Sequence, residues 1–210
     1  MKRILFIPSV LVDEEHDAFT DKTREFLEGI EETITVYPER PDLKRQKENT
    51  RELSREGDFL VGWSSGANIA FDLFEEDPRK YSGILLLEFI LDWYNNPLDQ
   101  LMLSIPMRIL PAYAKRKIGS NEYIIKSLLD SMIETGVDEK DYKNMIKALK
   151  DQGGEWLIDS VLSIKKETKF KKYKQRVREI DGLSDRLYGL CVTKPTKNML
   201  ENWELKITMR

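Results

Sequence analysis

The sequence predicts an α/β protein in which helices flank a mostly parallel central sheet and a helical block is inserted. Within the first 91 residues, four short apolar segments alternate with helical segments. This alternation is typical of parallel strands joined by crossover helices. From residue 92 to residue 168 the apolar side chains recur at helical spacing, and no segment resembles a strand. We therefore predict a core in two parts, 1–91 and 169–210, separated by an insertion at 92–168.

The four predicted strands are nearly continuous apolar runs, as expected of strands that are buried on both faces of a sheet. They are RILFIPSV, TITVYP, DFLVGW and YSGILLLEFI, in chain order. Between them we predict helices over residues 20–30, 43–56 and 65–76. The last of these ends before Asp77-Pro78, because a residue that precedes proline disfavours the helical conformation. Two later segments, QRVREID and WELKITM, are predicted to return to the sheet.

The insertion is predicted to contain several helices that begin at capping residues. Asn96-Pro97 is a favourable pair for the N-cap and the first helical position. SNEYIIKSLLDSMIETG and DEKDYKNMIKALKDQGG each start with polar caps and end at glycine, which commonly terminates a helix. EWLIDSVLSIKK predicts one further short helix.

Composition excludes several classes of function. Lysine and arginine total 34 against 37 aspartates and glutamates, so the net charge of −3 gives no reason to expect a nucleic-acid partner. The single cysteine, Cys191, excludes an internal disulfide framework and a structural zinc site. No cofactor is implied, since the lysine of a phosphate-binding loop and the dinucleotide glycine motif are both missing. No metal site is implied either, because acidic pairs such as Asp13/Glu14 have no supporting ligands.

The apolar runs and the basic run indicate where the protein is located and which surfaces it could meet. No apolar run is long enough to span a membrane. The N-terminal run is interrupted by Pro8 and has no cleavage site for a signal peptase, so we expect a cytoplasmic protein. The basic run at 165–178 is interpreted as a solvated helix end, with an anionic partner as the alternative.

One short motif points to chemistry. Gly62-Trp63-Ser64-Ser65-Gly66 fits G-x-S-x-G, between a predicted strand and a predicted helix. In such a tight turn the serine adopts a strained backbone, and the positions two before and two after it must lack bulk. The Ser64 hydroxyl would then project above the carboxyl end of the sheet, where the Ser65 N–H can hold an oxyanion. The alternative is a glycine-lined turn that carries an ordinary serine.

The segment GWSSGANIAFDLFEEDPRKYSGILLLE resembles the nucleophile elbow, following helix and next strand of the α/β-hydrolase family. The resemblance implies a helical cap at 92–168 and a catalytic triad in the order serine, acid, histidine, with Ser64 as the nucleophile. It also implies a second oxyanion donor in the loop after the first strand, the N–H of Val10. VREIDGLSDRL matches the strand and acidic turn that follow the cap in this family, which makes Asp185 the predicted acid.

The sequence departs from the family pattern at three places. The loop after the first strand reads Pro8-Ser9-Val10 where the family commonly has His-Gly, and PERPDL replaces a glycine-rich turn. The chain ends on ENWELKITMR, which resembles the family's final strand, whereas the family's histidine lies just beyond that strand. His16 is the single histidine, and a serine without a base is a poor nucleophile. Three explanations stay open: a chain that stops before the histidine, a catalytically silent protein, or His16 as a displaced base.

Two functions are compatible with these features. The first is a serine hydrolase that acts on a small ester or thioester through Ser64, with an apolar substrate pocket formed by Trp63, Leu101, Met102 and Ile105. The second is a catalytically silent protein that binds an apolar ligand or a protein partner through its cap. The apolar side chains of the cap would alternatively only pack it onto the core.

Overall fold

The computed structural model of the chain describes residues 3–87, 109–132, 138–168, 173 and 187–191. Five strands within these residues form one sheet, and every pair of neighbouring strands is parallel. The strands are β1 (Arg3–Ile7), β2 (Glu32–Thr35), β3 (Phe59–Trp63), β4 (Gly83–Leu87) and β5 (Leu187–Cys191). The predicted mostly parallel sheet is confirmed. Most of the strand ends lie one to three residues inside the predicted apolar runs.

The strands lie in the order β2-β1-β3-β4-β5 across the sheet. The chain therefore places β2 on one side of β1 and then crosses back over β1 to place β3 on the other side. Ligands of open parallel sheets bind at such a reversal, outside the carboxyl ends of the strands. The crevice expected from this topology lies between the loops that follow β1 and β3.

Seven helices are present within the described residues. They are α1 (Asp21–Glu28), α2 (Leu43–Leu53), α3 (Ser65–Glu76), α4 (Ala112–Gly119), α5 (Glu122–Met132), α6 (Glu139–Gln152) and α7 (Gly154–Glu167). Six of them coincide with predicted helices. The exception is α4, which begins directly after Pro111 and was not outlined from the sequence. The four helices α4–α7 fall inside the predicted insertion, and the division into core and cap remains a prediction.

Apolar side chains alternate between the two faces of the sheet. Ile4 and Phe6 of β1 belong to one apolar cluster, together with Leu27 of α1. Leu5 and Ile7 belong to the other, together with buried side chains of α2, α3, α6 and α7. All five residues of β1 are buried, which agrees with the continuous apolar run read from the sequence.

The fifth strand differs from the sequence-based expectation. Leu187–Cys191 pairs with β4 and completes the described sheet, although no strand was predicted there. Gly189 interrupts the apolar pattern of this segment, and glycine weakens a strand signal. The two C-terminal segments that were predicted as strands lie outside the described residues.

A buried ion pair joins β1 to the turn before β3. Arg3 Nε and Nη2 donate to the two carboxylate oxygens of Asp58 at 2.9 and 2.7 Å, and the two side chains are 8% and 3% exposed. Asp58 Oδ2 also accepts from the Arg55 N–H at 2.6 Å, and Arg3 donates to the Leu53 carbonyl at 2.9 Å. The polar atoms of this pair are therefore well satisfied inside the fold.

Replacing Asp58 with alanine is expected to lower the free energy of unfolding by about 3–5 kcal/mol, because it leaves the Arg3 charge buried and unpaired. Urea denaturation followed by circular dichroism measures this change. Glu56→Ala is the matched control, since Glu56 lies in the same turn and is exposed. We expect the control to change stability by less than about 0.5 kcal/mol, and equal losses in both variants would contradict the stabilising role of the pair.

Candidate functional site

Ser64 occupies a strained turn between β3 and α3. Its backbone angles are φ 56° and ψ −121°, and it is the one non-glycine residue with positive φ in the described part of the chain. Such a conformation costs about 1–3 kcal/mol and persists only where the surrounding structure enforces it. The Ser64 N–H donates to the Leu87 carbonyl of β4 at 2.8 Å, and the Ser64 carbonyl accepts from the Ala67 N–H at 3.0 Å. The turn is therefore fixed from both sides.

The glycines on either side of Ser64 have no room for a side chain. A Cβ atom on Gly62 would lie 2.5 Å from Ala67 Cα and from the Gly66 carbonyl oxygen. A Cβ atom on Gly66 would lie 1.9 Å from the Ile7 carbonyl oxygen of β1 and 2.6 Å from that of Pro8. Backbone atoms of neighbouring elements make these contacts, so a rotamer change cannot relieve them.

The Ser64 side chain lies at the carboxyl end of β3, beside the end of β1. The residue is 3% exposed. It caps the N-terminus of the 12-residue helix α3 without a side-chain bond to that helix. The N–H groups of the first helical turn have no partner within the helix. The Ser65 N–H thus belongs to a helix end that favours negative charge.

The loop after β1 reaches the same turn. The Val10 N–H donates to Ser65 Oγ at 3.0 Å, and Ser65 Oγ lies 3.1 Å from Ser9 Oγ. The Leu11 N–H donates to Ser9 Oγ at 3.3 Å. Ser9, Val10 and Ser65 are all fully buried. The Val10 N–H, which was predicted to be the second oxyanion donor, therefore already donates to a side chain of the protein. This bond was not predicted, because the sequence analysis considered only the backbone N–H of Ser65.

Helix α7 holds the same loop from the other side. Ser160 Oγ donates to the Val10 carbonyl at 2.8 Å, and Trp156 Nε1 donates to the same oxygen at 3.1 Å. Ser160 is fully buried. The backbone N–H of Val10 thus has a partner on α3, and its carbonyl has partners on α7, a helix of the predicted insertion.

His16 has an acidic partner that was not identified from the sequence. Its Nδ1 lies 2.7 Å from Asp13 Oδ1, which also accepts from the His16 backbone N–H at 3.0 Å. Both side chains are about a quarter exposed, at 25% and 26%. When Nδ1–H donates to the carboxylate, Nε2 is the basic nitrogen of the ring. The i, i+3 spacing of an aspartate and a histidine in a turn was the sequence signal for this pair.

The segment that carries His16 contacts the two residues adjacent to Ser64 in the sequence, Trp63 and Ser65. Before His16, Val10 is bonded to Ser65; after it, the rings of Phe19 and Trp63 lie 5.8 Å apart. Asp17 fixes the segment further, since it accepts from the Tyr37 hydroxyl at 2.9 Å. Burial and the Asp17 carboxylate raise the pKa of Tyr37 above its ordinary value, so this phenol remains a hydrogen-bond donor.

Of the predicted acid and substrate-pocket residues, Trp63 alone lies in the described part of the chain. Trp63 is half-buried and packs with Phe59 and Phe26 against the apolar cluster of the α1 face. Asp185, Leu101, Met102 and Ile105 lie outside the described residues, as does most of the basic run. Among the residues that are described, no helix combines the length and apolar character needed to cross a membrane.

Comparison with known proteins gives matches in structure only. No protein-family model matches the sequence, and no curated protein matches it. An esterase from Exiguobacterium antarcticum is similar with a TM-score of 0.61 and 8% identity, covering 100% of this chain and 91% of that chain. A carboxylesterase structure from Nitrososphaera gargenis has a TM-score of 0.61 and 11% identity, covering 99% and 88%. A lipase-esterase related protein from Clostridium acetobutylicum has a TM-score of 0.58 and 10% identity, covering 99% and 93%.

Proposed function

We propose that this chain, which has the α/β-hydrolase fold, is a serine hydrolase that cleaves a small ester or thioester through Ser64. The observation that carries the proposal is the positive φ of Ser64 between two glycines that cannot accept a Cβ atom. A relaxed strand-to-helix connection needs neither feature. Strain of this kind is concentrated at functional sites, and here it lies at the carboxyl end of β3, beside the reversal of strand order where ligands of parallel sheets bind.

The proposed reaction proceeds by acyl transfer to Ser64. Its Oγ attacks the carbonyl carbon of the substrate, and its proton passes to His16 Nε2. The Ser65 N–H and the N-terminus of α3 stabilise the negative charge on the carbonyl oxygen. The intermediate collapses as the C–O or C–S bond breaks, and His16 returns the proton to the leaving group. A water molecule then hydrolyses the acyl-serine by the same steps, and Ser64 regains its proton.

The roles of the remaining residues belong to the proposal. Asp13 orients the imidazole of His16 through the bond to Nδ1, in the way that the acid of a triad orients its histidine. Asp185 is the acid that the family pattern predicts, and in this mechanism Asp13 takes the orienting role in its place. The segment 92–168 would serve as a cap, with Trp63, Leu101, Met102 and Ile105 lining an apolar pocket for the acyl group or the ester alcohol.

A silent binding protein is the second candidate, and one observation favours it. The Val10 N–H, which would complete the oxyanion site, donates to Ser65 Oγ, and Ser64 is 3% exposed. A fold that had lost catalysis would tolerate such a closed arrangement. In that case, the crevice or the predicted cap would hold an apolar ligand or a protein without covalent chemistry.

Hydrolysis of p-nitrophenyl acetate by the purified chain tests the proposed function. We expect release of p-nitrophenol above the rate in buffer, and progressive loss of that activity after incubation with phenylmethylsulfonyl fluoride. Hydrolysis that resists this serine-directed reagent would contradict the role of Ser64. No hydrolysis of acetate, butyrate or thioacetate esters, together with no covalent attachment of phenylmethylsulfonyl fluoride to the chain, would favour the silent protein.

Replacing His16 with alanine is expected to lower kcat/KM for p-nitrophenyl acetate by about 10²–10⁴-fold, the usual contribution of a general base. Asp13→Asn should give a smaller loss, because it disturbs the orientation of the ring and leaves Nε2 in place. The side chain of His16 is a quarter exposed, so we expect the unfolding temperature to change little. Wild-type rates in His16→Ala would exclude His16 as the base.

A further inference from the structure

The acceptor position of the Val10 N–H is filled by a side chain of the protein itself. We propose that the Ser65 hydroxyl occupies the place of the substrate's carbonyl oxygen, so that Ser65 limits the rate at which Ser64 can react. This inference rests on the proposed function, since it concerns the oxyanion site of that reaction. Ser65 is then a positioning residue that holds the second donor of the site in a closed state.

The distances leave no room for both oxygens. An oxyanion donor acts on an oxygen that lies about 2.7–3.1 Å from its nitrogen. Ser65 Oγ accepts from the Val10 N–H at 3.0 Å, within this range. A carbonyl oxygen of the substrate can accept from this N–H only after the hydroxyl has turned away.

The side chain of Ser65 has to move, because the loop that carries Val10 is held in place. The Val10 carbonyl accepts from Ser160 Oγ and from Trp156 Nε1, both on α7. The beginning of α3 is fixed as well, because the Ile7 carbonyl of β1 packs against Gly66. A rotation about the Cα–Cβ bond of Ser65 breaks its bonds to Val10 and Ser9 without moving any of these elements.

Ser65→Ala removes the hydroxyl and leaves the Val10 N–H open to the substrate. We expect this variant to react with a fluorophosphonate probe at least about 10-fold faster than the wild type, since one oxyanion donor changes rates by about 10²–10³-fold. Ser160→Ala is the matched control: it removes another fully buried hydroxyl that bonds Val10, but the N–H remains bonded to Ser65. We expect no acceleration in the control, and Ser64→Ala supplies the unreactive blank.

The outcomes separate this inference from the proposed function. Labelling of the wild type at a rate that Ser65→Ala does not exceed overturns the inference alone, as does equal acceleration in Ser160→Ala. Failure of every variant to label overturns the proposed function, and the inference with it. If Ser65→Ala does not fold, Ser65→Gly removes the same hydroxyl and decides: faster labelling than the wild type supports the inference, and labelling that is no faster overturns it.

Discussion

Replacement of Ser64 by alanine is expected to abolish ester hydrolysis, with a fall in kcat/KM of at least about 10⁴-fold. Removing the nucleophile of a serine hydrolase leaves only the contribution of the oxyanion site and of substrate binding. Alanine tolerates the positive φ at this position no worse than serine does, because both carry a Cβ atom. The loss is therefore chemical, and the variant should keep the circular dichroism spectrum and unfolding temperature of the wild type. Initial rates with p-nitrophenyl acetate measure the effect.

Ser82→Ala is the matched control for this experiment. Ser82 Oγ is buried without a hydrogen-bond partner among the described residues, and the residue lies just before β4, at the amino end of the parallel strands, whereas Ser64 lies at their carboxyl end. We expect its removal to leave the rate within about twofold of the wild type, since changes remote from the site cost little. Hydrolysis by Ser64→Ala at the rate of the control would show that another residue performs the reaction.

Gly66→Ala is expected to destabilise the fold strongly, lowering the free energy of unfolding by about 3 kcal/mol or more. The new Cβ atom would meet the Ile7 carbonyl oxygen at 1.9 Å. Alanine favours a helix over glycine by about 1 kcal/mol, so helix propensity acts in the opposite direction. A net loss can therefore come only from the close approach of α3 to β1. Urea denaturation of both proteins measures the difference.

Gly29→Ala serves as the control for the glycine replacement. Gly29 has φ −74°, and a Cβ atom there would lie 3.4 Å from the Phe26 carbonyl oxygen, an ordinary contact. We expect this variant to be as stable as the wild type or more stable by up to about 1 kcal/mol. A Gly66→Ala protein that matched the control in stability would mean that the turn at Ser64 is a relaxed loop and not a strained one.

The sheet and the connecting helices could be predicted because their signals are local. The apolar run of β1 and the glycine-serine pattern before α3 each determine an element within a few residues. The packing requirement at Gly66 was also predictable, since it follows from the tightness of the turn. Leu187–Cys191 could not be predicted in the same way, because its place beside β4 depends on pairing with a strand about a hundred residues earlier.

The contacts around Ser64 join residues that are far apart in the sequence, so sequence patterns could not predict them. Val10 and Ser65 are 55 positions apart, and Val10 and Ser160 are 150 apart. No spacing rule connects such residues. The pair of Asp13 and His16 is the exception, because it lies within one turn and its i, i+3 spacing was visible in the sequence. The strained turn at Ser64 could thus be predicted from the sequence, whereas the partners of its neighbours required the structure.

The most direct test of Ser64 as the nucleophile is the position of a covalent adduct. The wild-type chain is incubated with a fluorophosphonate probe and digested, and the labelled peptide is sequenced by tandem mass spectrometry. We expect a single adduct on Ser64 and no adduct in Ser64→Ala. An adduct on Ser65 or on any other residue, or an unlabelled protein that nevertheless hydrolyses esters, would contradict the assignment of Ser64.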